Sequence, residues 1–229
     1  MKYKTIFFDR DGTLTMNDPA WVKLKKEKLE EWSGKPFDES HEFFEKHYKK
    51  IHSKGYPFCP YKNVEQELQF FKEWYKSIFE DLGITEKVEE RANFLIDHLW
   101  YIKKQLYPET IAVLDYFKSK GFKMGVISDC PPSLEMTLKN VGIHQYFTSF
   151  TASSLVGAGK PSPIIFNDGL RKQGVTADEC IFVDDTRVEA EGAREQGFTS
   201  FYLDRTGKCK DNWTIHSLTE LIDFIEEDI

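Results

Sequence analysis

The sequence predicts an α/β protein built on a doubly wound parallel sheet, with a bundle of α-helices inserted after the first strand. Three observations favour this class. A short apolar run near the start has the composition of a buried strand. The segment from 18 to 105 carries apolar residues at helical spacing, and short strands alternate with helices after Pro108. Such alternation is typical of parallel sheets, because parallel strands need a crossover connection, usually a helix.

The inserted helices are indicated by apolar residues that recur three or four positions apart. This spacing predicts helices over residues 20–32, 40–51, 64–82 and 86–103. Gly34, Gly83 and the stretch 55–60 are predicted breaks, because glycine and proline interrupt regular structure. The first strand is predicted at 5–8 (TIFF), directly before a polar loop.

The second half of the chain has the pattern of alternating strands and helices. Strands are predicted at 122–127, 147–151, 180–183 and 198–203. Helices are predicted at 109–120, 131–140, 163–172, 188–196 and 217–227. We therefore expect both chain ends, residues 1–17 and 106–229, to form one α/β catalytic core, and residues 18–105 to form a helical cap.

Composition excludes several classes of protein. The 229 residues contain 31 Lys and Arg against 38 Asp and Glu, a net charge of −7 that disfavours binding to nucleic acid or anionic membranes through bulk charge. No apolar run reaches the roughly 20 residues of a membrane span, and Asp9 interrupts the first run before it could form a signal peptide. Widely spaced cysteines predict free thiols. We expect a cytoplasmic monomer or homodimer.

Polar side chains, most of them carboxylates, follow three of the predicted strands at the point where each strand ends. In chain order they are Asp9, Asp11, Ser128, Asp129, Asp184 and Asp185. Parallel strands present their carboxyl ends on one edge, where such sheets bind ligands. Any single residue could serve only as a helix cap or turn former. Acids gathered on one edge repel each other unless a cation joins them, and hard oxygen ligands suit Mg²⁺.

The pair Asp9 and Asp11 suits phosphoryl transfer. A bound Mg²⁺ neutralises charge on phosphate oxygens, so that one carboxylate can attack phosphorus and form an aspartyl-phosphate. A second acid two residues further on can protonate the leaving oxygen and then deprotonate the attacking water. Arg10, between the two acids, is expected to point elsewhere.

Four segments, in order, resemble the motifs of the haloacid dehalogenase-like (HAD) hydrolase superfamily, and specifically its phosphoglycolate-phosphatase-like branch. They are residues 8–14 (FDRDGTL), 126–129 (VISD), 157–163 with Lys160, and 183–193, which begins VDDT. The helical insertion lies where that branch carries its cap, and the resemblance implies a Rossmann-like core. Asp11 favours phosphate ester hydrolysis over dehalogenation, because a halide leaving group needs no proton.

By that resemblance, Asp9 is the nucleophile and Asp11 is the general acid/base. Mg²⁺ would be bound by the Asp9 carboxylate, the Asp11 main-chain carbonyl and Asp185. These roles imply a phosphatase that needs a metal ion.

The resemblance also assigns the substrate phosphate to Ser128, the backbone of Asp129 and Lys160, whose charge balances nucleophile and phosphate. Asp184 stands where the branch often has glycine, and Glu189 where a shorter aspartate is usual. Three residues are expected to support the site from behind the metal ligands: Asp184, Glu189 and Thr13.

The sequence therefore predicts a Mg²⁺-dependent phosphatase whose partner is a small phosphorylated metabolite. One alternative is a sugar phosphomutase of the same superfamily, similar to β-phosphoglucomutase. Another is a non-catalytic regulator that binds a metabolite. Basic cap residues such as Lys54, Lys62 and Arg91 could bind a second anionic group of the substrate, although a surface position is the simpler expectation for each.

Overall fold

The computed structural model describes residues 2–38, 40–52, 61–97 and 103–227. Its strands are β1 (Thr5–Phe8), β2 (Thr15–Asn17), β3 (Lys104–Leu106), β4 (Lys123–Ser128), β5 (Ser149–Ala152), β6 (Cys180–Asp184), β7 (Thr199–Leu203) and β8 (Thr214–Ile215). Its helices are α1 (Pro19–Ser33), α2 (His41–His52), α3 (Val64–Leu82), α4 (Val88–Asp97), α5 (Thr110–Ser119), α6 (Leu134–Asn140), α7 (Ser153–Val156), α8 (Pro163–Gln173), α9 (Arg187–Glu195) and α10 (Glu220–Glu227).

The main sheet has six strands in the order β5-β4-β1-β6-β7-β8, and every neighbouring pair is parallel. Phe8, the last residue of β1, pairs with Val126 of β4 and with Val183 of β6. The carboxyl ends of these three strands therefore lie side by side on one edge. The predicted doubly wound parallel sheet is confirmed.

Side chains of β1 alternate between two apolar layers, as the two-residue period of a strand requires. Ile6 and Phe8 lie in a cluster with side chains of α5, α6 and α10. Phe7 lies in another cluster with side chains of α8 and α9. All three side chains are fully buried, so helices cover both faces of the sheet and hold β1 rigidly between them.

Helices α1, α3 and α4 share a separate aromatic-rich cluster that includes Trp21, Phe79 and Leu95. Asn63 caps α3, since its side chain accepts a hydrogen bond from the backbone N–H of Gln66 at 2.9 Å. The predicted helix at 64–82 matches α3, and α1 and α2 begin and end within one residue of prediction. No helix in the described part of the chain combines the length and the apolar content that a membrane span requires.

The link from the helices back to the sheet differs from prediction. The helix predicted at 86–103 corresponds to α4, which ends at Asp97, and residues 98–102 lie outside the described residues. Lys104–Leu106 is a strand that pairs antiparallel with β2, and Asn17 lies opposite Lys104. Three-residue strands are too short to show a two-residue hydrophobic period, so the sequence does not reveal them. The two-stranded ribbon formed by β2 and β3 thus brings Lys104 next to the loop that follows β1.

Candidate active site

The loop after β1 carries the predicted nucleophile. Asp9 is 5% exposed, and its backbone N–H donates to the carbonyl of Val183 at 2.9 Å. This bond extends the pairing of β1 with β6 by one residue, so the Asp9 carboxylate starts from a fixed point on the sheet edge. Burial raises the pKa of Asp9 to about 6, although the nearby charge of Lys160 opposes the rise.

Lys160 lies at the centre of a buried carboxylate cluster. Its Nζ is 2.8 Å from Asp9 Oδ1. The same nitrogen is 2.5 Å from Asp184 Oδ2 and 2.7 Å from Glu189 Oε2. Burial alone would lower the pKa of Lys160, but the three carboxylates outweigh burial and raise it well above its usual range. The ammonium therefore stays charged and holds one oxygen of Asp9 in place.

The Asp129 side chain positions the backbone that carries Lys160. Its two carboxylate oxygens accept from the Lys160 backbone N–H at 3.0 and 3.1 Å. A Cβ at Gly159 would lie 3.0 Å from those oxygens, so the small residue lets the two loops approach closely. The structure thus shows a role for the Asp129 carboxylate, whereas the predicted role of its backbone toward phosphate stays a prediction.

Asp11 is surrounded by cations, and the expectation that Arg10 points elsewhere is wrong. Arg10 donates from Nε to Asp11 Oδ1 at 3.0 Å and from Nη2 to Oδ2 at 2.5 Å. Lys104 Nζ is 3.0 Å from Asp11 Oδ1. Burial alone would raise the pKa of Asp11, but these two cations outweigh burial and hold it well below its usual range. A short strand-end loop lets the Arg10 side chain fold back onto its neighbour.

Asp185 lies directly against the backbone of Gly12. Gly12 has a φ of +84°, which side chains rarely adopt, and a Cβ there would lie 1.9 Å from Asp185 Oδ2. Only glycine allows this approach. Burial, followed by the charge of Asp9, raises the pKa of Asp185 to about 6.

The chemistry of these residues fits a bound divalent cation. Burial is the main cause of the raised pKa values of Asp9 and Asp185, and a cation beside the two carboxylates would favour their charged forms. Within the described ranges, no three His, Cys, Asp or Glu side chains are grouped so that they could hold a metal ion by themselves. The predicted set needs only two carboxylates and the main-chain carbonyl of Asp11, and Mg²⁺ is commonly bound by one or two carboxylates together with waters.

The supporting residues lie in and beside this cluster. Asp184 also accepts from the backbone N–H of Thr186 at 2.8 Å, so its carboxylate bridges Lys160 and the start of α9. Ser128 is buried at the end of β4. Thr13 is buried as well, and its hydroxyl has no hydrogen-bond partner among the described residues. The metal, phosphate and supporting roles of these residues stay predictions.

Arg205 is a site residue that sequence reasoning missed. It donates from Nε to the Gly12 carbonyl at 2.9 Å and from Nη2 to the Thr13 carbonyl at 2.7 Å. Its Nη1 donates to Glu109 at 2.7 Å, and the guanidinium lies 3.4 Å from the ring centroid of Tyr107. The strand-end rule that identified the acids also applies to β7, which is followed by Asp204 and Arg205. That rule could have found it.

Replacing Arg205 with alanine is expected to destabilise the protein and to lower turnover, because two carbonyls of the nucleophile loop lose their donor. Hydrogen bonds from a charged group predict a loss of about 2 kcal/mol in the free energy of unfolding, reduced by partial exposure. Urea denaturation measures this loss. Arg187→Ala is the control, since Arg187 also pairs with acids but at an exposed position. Equal stability of Arg205→Ala and wild type would show that the hydrogen bonds from Arg205 to the Gly12 and Thr13 carbonyls do not stabilise the fold.

The inserted helices contact the core next to the site. Glu67 of α3 is buried and accepts from Ser133, at 3.0 Å from its backbone N–H and 2.7 Å from its hydroxyl. Lys62 Nζ donates to the Ser154 carbonyl at 2.6 Å. Arg91 lies over the ring of Trp32, and Lys54 lies outside the described residues. Besides Arg10, the structure brings Lys104 to Asp11, and no motif had indicated this lysine.

Sequence comparison identifies the family. The family described as haloacid dehalogenase-like hydrolase matches residues 3–197 of the chain. A phosphatase of Mycobacterium tuberculosis is 25% identical over 216 residues, which cover 92% of this chain and 92% of that protein. A glyceraldehyde 3-phosphate phosphatase of Methanocaldococcus jannaschii is 35% identical over 135 residues, which cover 52% of this chain and 56% of that protein.

The fold is also similar to that of a solved phosphatase structure. The crystal structure of a HAD phosphatase from Thermococcus onnurineus has a TM-score of 0.66 and 25% identity, with 97% of both chains covered. The family match spans most of the chain and includes all four predicted motifs. The predictions of a HAD superfamily member and of a phosphatase enzyme are confirmed. The chain belongs to the haloacid dehalogenase-like hydrolase family.

Proposed function

We propose that this chain is a Mg²⁺-dependent phosphatase that hydrolyses a small phosphate monoester through an aspartyl-phosphate on Asp9. One observation carries the proposal: Asp9 is buried at the sheet edge and held by Lys160 at 2.8 Å, with a second acid two residues further on. A nucleophile and a separate acid/base group are the parts that this reaction needs.

The residues act in two halves of the reaction. Asp9 attacks phosphorus while Lys160 balances the negative charge of the nucleophile and the phosphate. Arg10 and Lys104 hold Asp11 ionised, so Asp11 must take up a proton before it protonates the leaving oxygen. Asp11 then accepts a proton from the water that attacks the phosphoryl group on Asp9. When bound, Mg²⁺ neutralises charge on the phosphoryl oxygens. Asp9, Asp185 and the Asp11 main-chain carbonyl would hold it.

The rest of the site supports phosphate binding. Ser128 and the Asp129 backbone are proposed to donate hydrogen bonds to phosphoryl oxygens. Asp184 and Glu189 fix the Lys160 ammonium, and Thr13 supports the loop. Residues 18–105 are proposed to act as a cap over a core of 1–17 and 106–229. A cytoplasmic location, a monomeric or homodimeric state and the absence of nucleic-acid or membrane partners stay predictions.

A panel of phosphate monoesters assayed for inorganic phosphate with Mg²⁺ tests the function. Phosphatase activity predicts multiple-turnover phosphate release that depends on Asp9 and on the metal. A sugar phosphomutase would release little phosphate and convert sugar phosphates into isomers. A non-catalytic regulator would hydrolyse no ester, including a generic aryl phosphate, and that result would refute the proposal.

Mg²⁺ is expected to stabilise the protein more at about pH 7.5 than at about pH 5. Asp9 and Asp185 have pKa values raised from 3.8 to about 6 in the folded protein. Folding therefore favours their protonated forms, and the stability they contribute is lost as the pH rises through about 6. Above about pH 6 the two carboxylates are ionised, and a bound cation then offsets their negative charge. At lower pH the bound protons already do so. Thermal unfolding with MgCl₂ or with NaCl at equal ionic strength measures the difference, and equal Mg²⁺ effects at both pH values would contradict it.

A further inference from the structure

One main-chain carbonyl of the loop after β1 differs from its neighbours. The carbonyls on either side of it accept hydrogen bonds, and they belong to Arg10, Gly12, Thr13 and Leu14. No group in the described part of the chain donates to the carbonyl of Asp11. Main-chain carbonyl groups are strong acceptors that normally find a partner. The loop thus leaves one acceptor free, and it is the main-chain oxygen that is predicted to bind Mg²⁺.

Two kinds of hydrogen bond hold this loop. Some are internal, such as the bond from the Gly12 N–H to the Thr15 carbonyl at 2.8 Å, and these fix the shape of the loop. Others come from outside, and Arg205 supplies the two that lie nearest to the free carbonyl, at 2.9 Å to the Gly12 carbonyl and 2.7 Å to the Thr13 carbonyl. Glycine has a permissive backbone, so an external restraint beside Gly12 limits how the preceding peptide can turn.

Arg205 is itself fixed in place. Its Nη1 donates to Glu109 at 2.7 Å, and its guanidinium lies 3.4 Å from the ring centroid of Tyr107. The side chains of Arg205 and Glu109 are 22% and 17% exposed. A planar guanidinium donates in several fixed directions at once. Arg205 can therefore transmit the position of the core to the loop, while Glu109 balances its charge.

The position of the loop also determines how the predicted metal ligands are spaced. Gly12 lies so close to Asp185 that a Cβ there would be 1.9 Å from Asp185 Oδ2. In the proposed function, on which this inference rests, Mg²⁺ is bound by that carboxylate, by Asp9 and by the Asp11 carbonyl. We propose that Arg205 is a positioning residue that sets the affinity for Mg²⁺ by holding the Asp11 carbonyl in place.

Cation binding without substrate tests this role. Free Mn²⁺, which like Mg²⁺ suits octahedral oxygen sites, is measured by electron paramagnetic resonance as protein is added, and competition with MgCl₂ gives the Kd for Mg²⁺. Arg205→Ala is expected to raise this Kd by about 10- to 100-fold, the usual cost of removing a group that orients a metal ligand. Charge alone predicts the opposite, because loss of a nearby cation should tighten the binding of Mg²⁺.

Thr110→Val is the matched control. The Thr110 hydroxyl donates to the Leu14 carbonyl at 3.1 Å, so this variant also removes an external hydrogen bond to the same loop, but away from the Asp11 carbonyl. It is expected to leave the Kd for Mg²⁺ unchanged. Both variants are measured at a temperature at which circular dichroism shows them to be folded, so that loss of stability does not enter the comparison.

The results that would overturn the proposal differ from failure of the proposed function. Unchanged or tighter binding of Mg²⁺ by Arg205→Ala would overturn the role of Arg205, while phosphate release by wild type would stand. An equal rise of the Kd in Thr110→Val would show that any damage to the loop weakens binding, and would also overturn it. A wild type that binds neither cation would overturn the metal dependence in the proposed function and this inference with it.

Discussion

Asp9→Asn is expected to reduce phosphate release by at least about four orders of magnitude, as loss of a covalent nucleophile does in other hydrolases. The amide cannot form the phosphoryl-enzyme, although it has the size of the carboxylate. The variant should be at least as stable as wild type at neutral pH. Burial makes the charged form of Asp9 unfavourable, as its raised pKa shows, and Lys160 keeps Asp184 and Glu189 as partners.

Phosphate release and thermal unfolding, measured on the same Asp9→Asn sample, check both expectations. Asp178→Asn is the matched control, because it makes the same substitution at an exposed position away from the sheet edge. Turnover in Asp9→Asn within tenfold of wild type would remove Asp9 from the nucleophile role. A large loss of stability would instead show that the Asp9 charge holds the fold together.

Asp11→Asn is expected to lower turnover of an alkyl phosphate by at least about a hundredfold, because the leaving oxygen and the attacking water lose their acid/base group. The loss should be smaller for p-nitrophenyl phosphate, whose leaving group departs without a proton. Steady-state assays with the two esters measure this difference. Full activity on the alkyl ester would refute the assignment of Asp11.

The variants Asp9→Asn and Asp11→Asn are expected to differ in stability. Asp11→Asn leaves Arg10 and Lys104 without the carboxylate that they share. In wild type the two cations hold this carboxylate in its ionised form. Removing one partner of a buried ion pair is destabilising. We therefore expect Asp11→Asn to unfold at a lower urea concentration than Asp9→Asn. The reverse order would contradict the conclusion that the protein disfavours the charged form of Asp9 and favours the charged form of Asp11.

Several parts of the fold and of the site follow from local sequence. The strand at Thr5–Phe8 and the helix at Val64–Leu82 were predictable because their apolar periods are strong and their ends carry clear signals. Asp9 was a predictable site residue because an acid that directly follows a buried parallel strand must lie at the sheet edge. Lys160 was identified by a motif, and the structure places its ammonium beside Asp9.

The sequence by itself determined the sheet, the order of the motifs and the family. Tertiary structure alone decided that Lys104 meets Asp11, that Arg205 donates to the carbonyls of Gly12 and Thr13, and that three carboxylates surround Lys160. Lys104 and Arg205 lie 93 and 194 positions from Asp11 in the chain (104 − 11 and 205 − 11), so no local period or cap signal connects them. Side-chain charges interact through space, and the sheet and the short β2–β3 ribbon decide which charges meet.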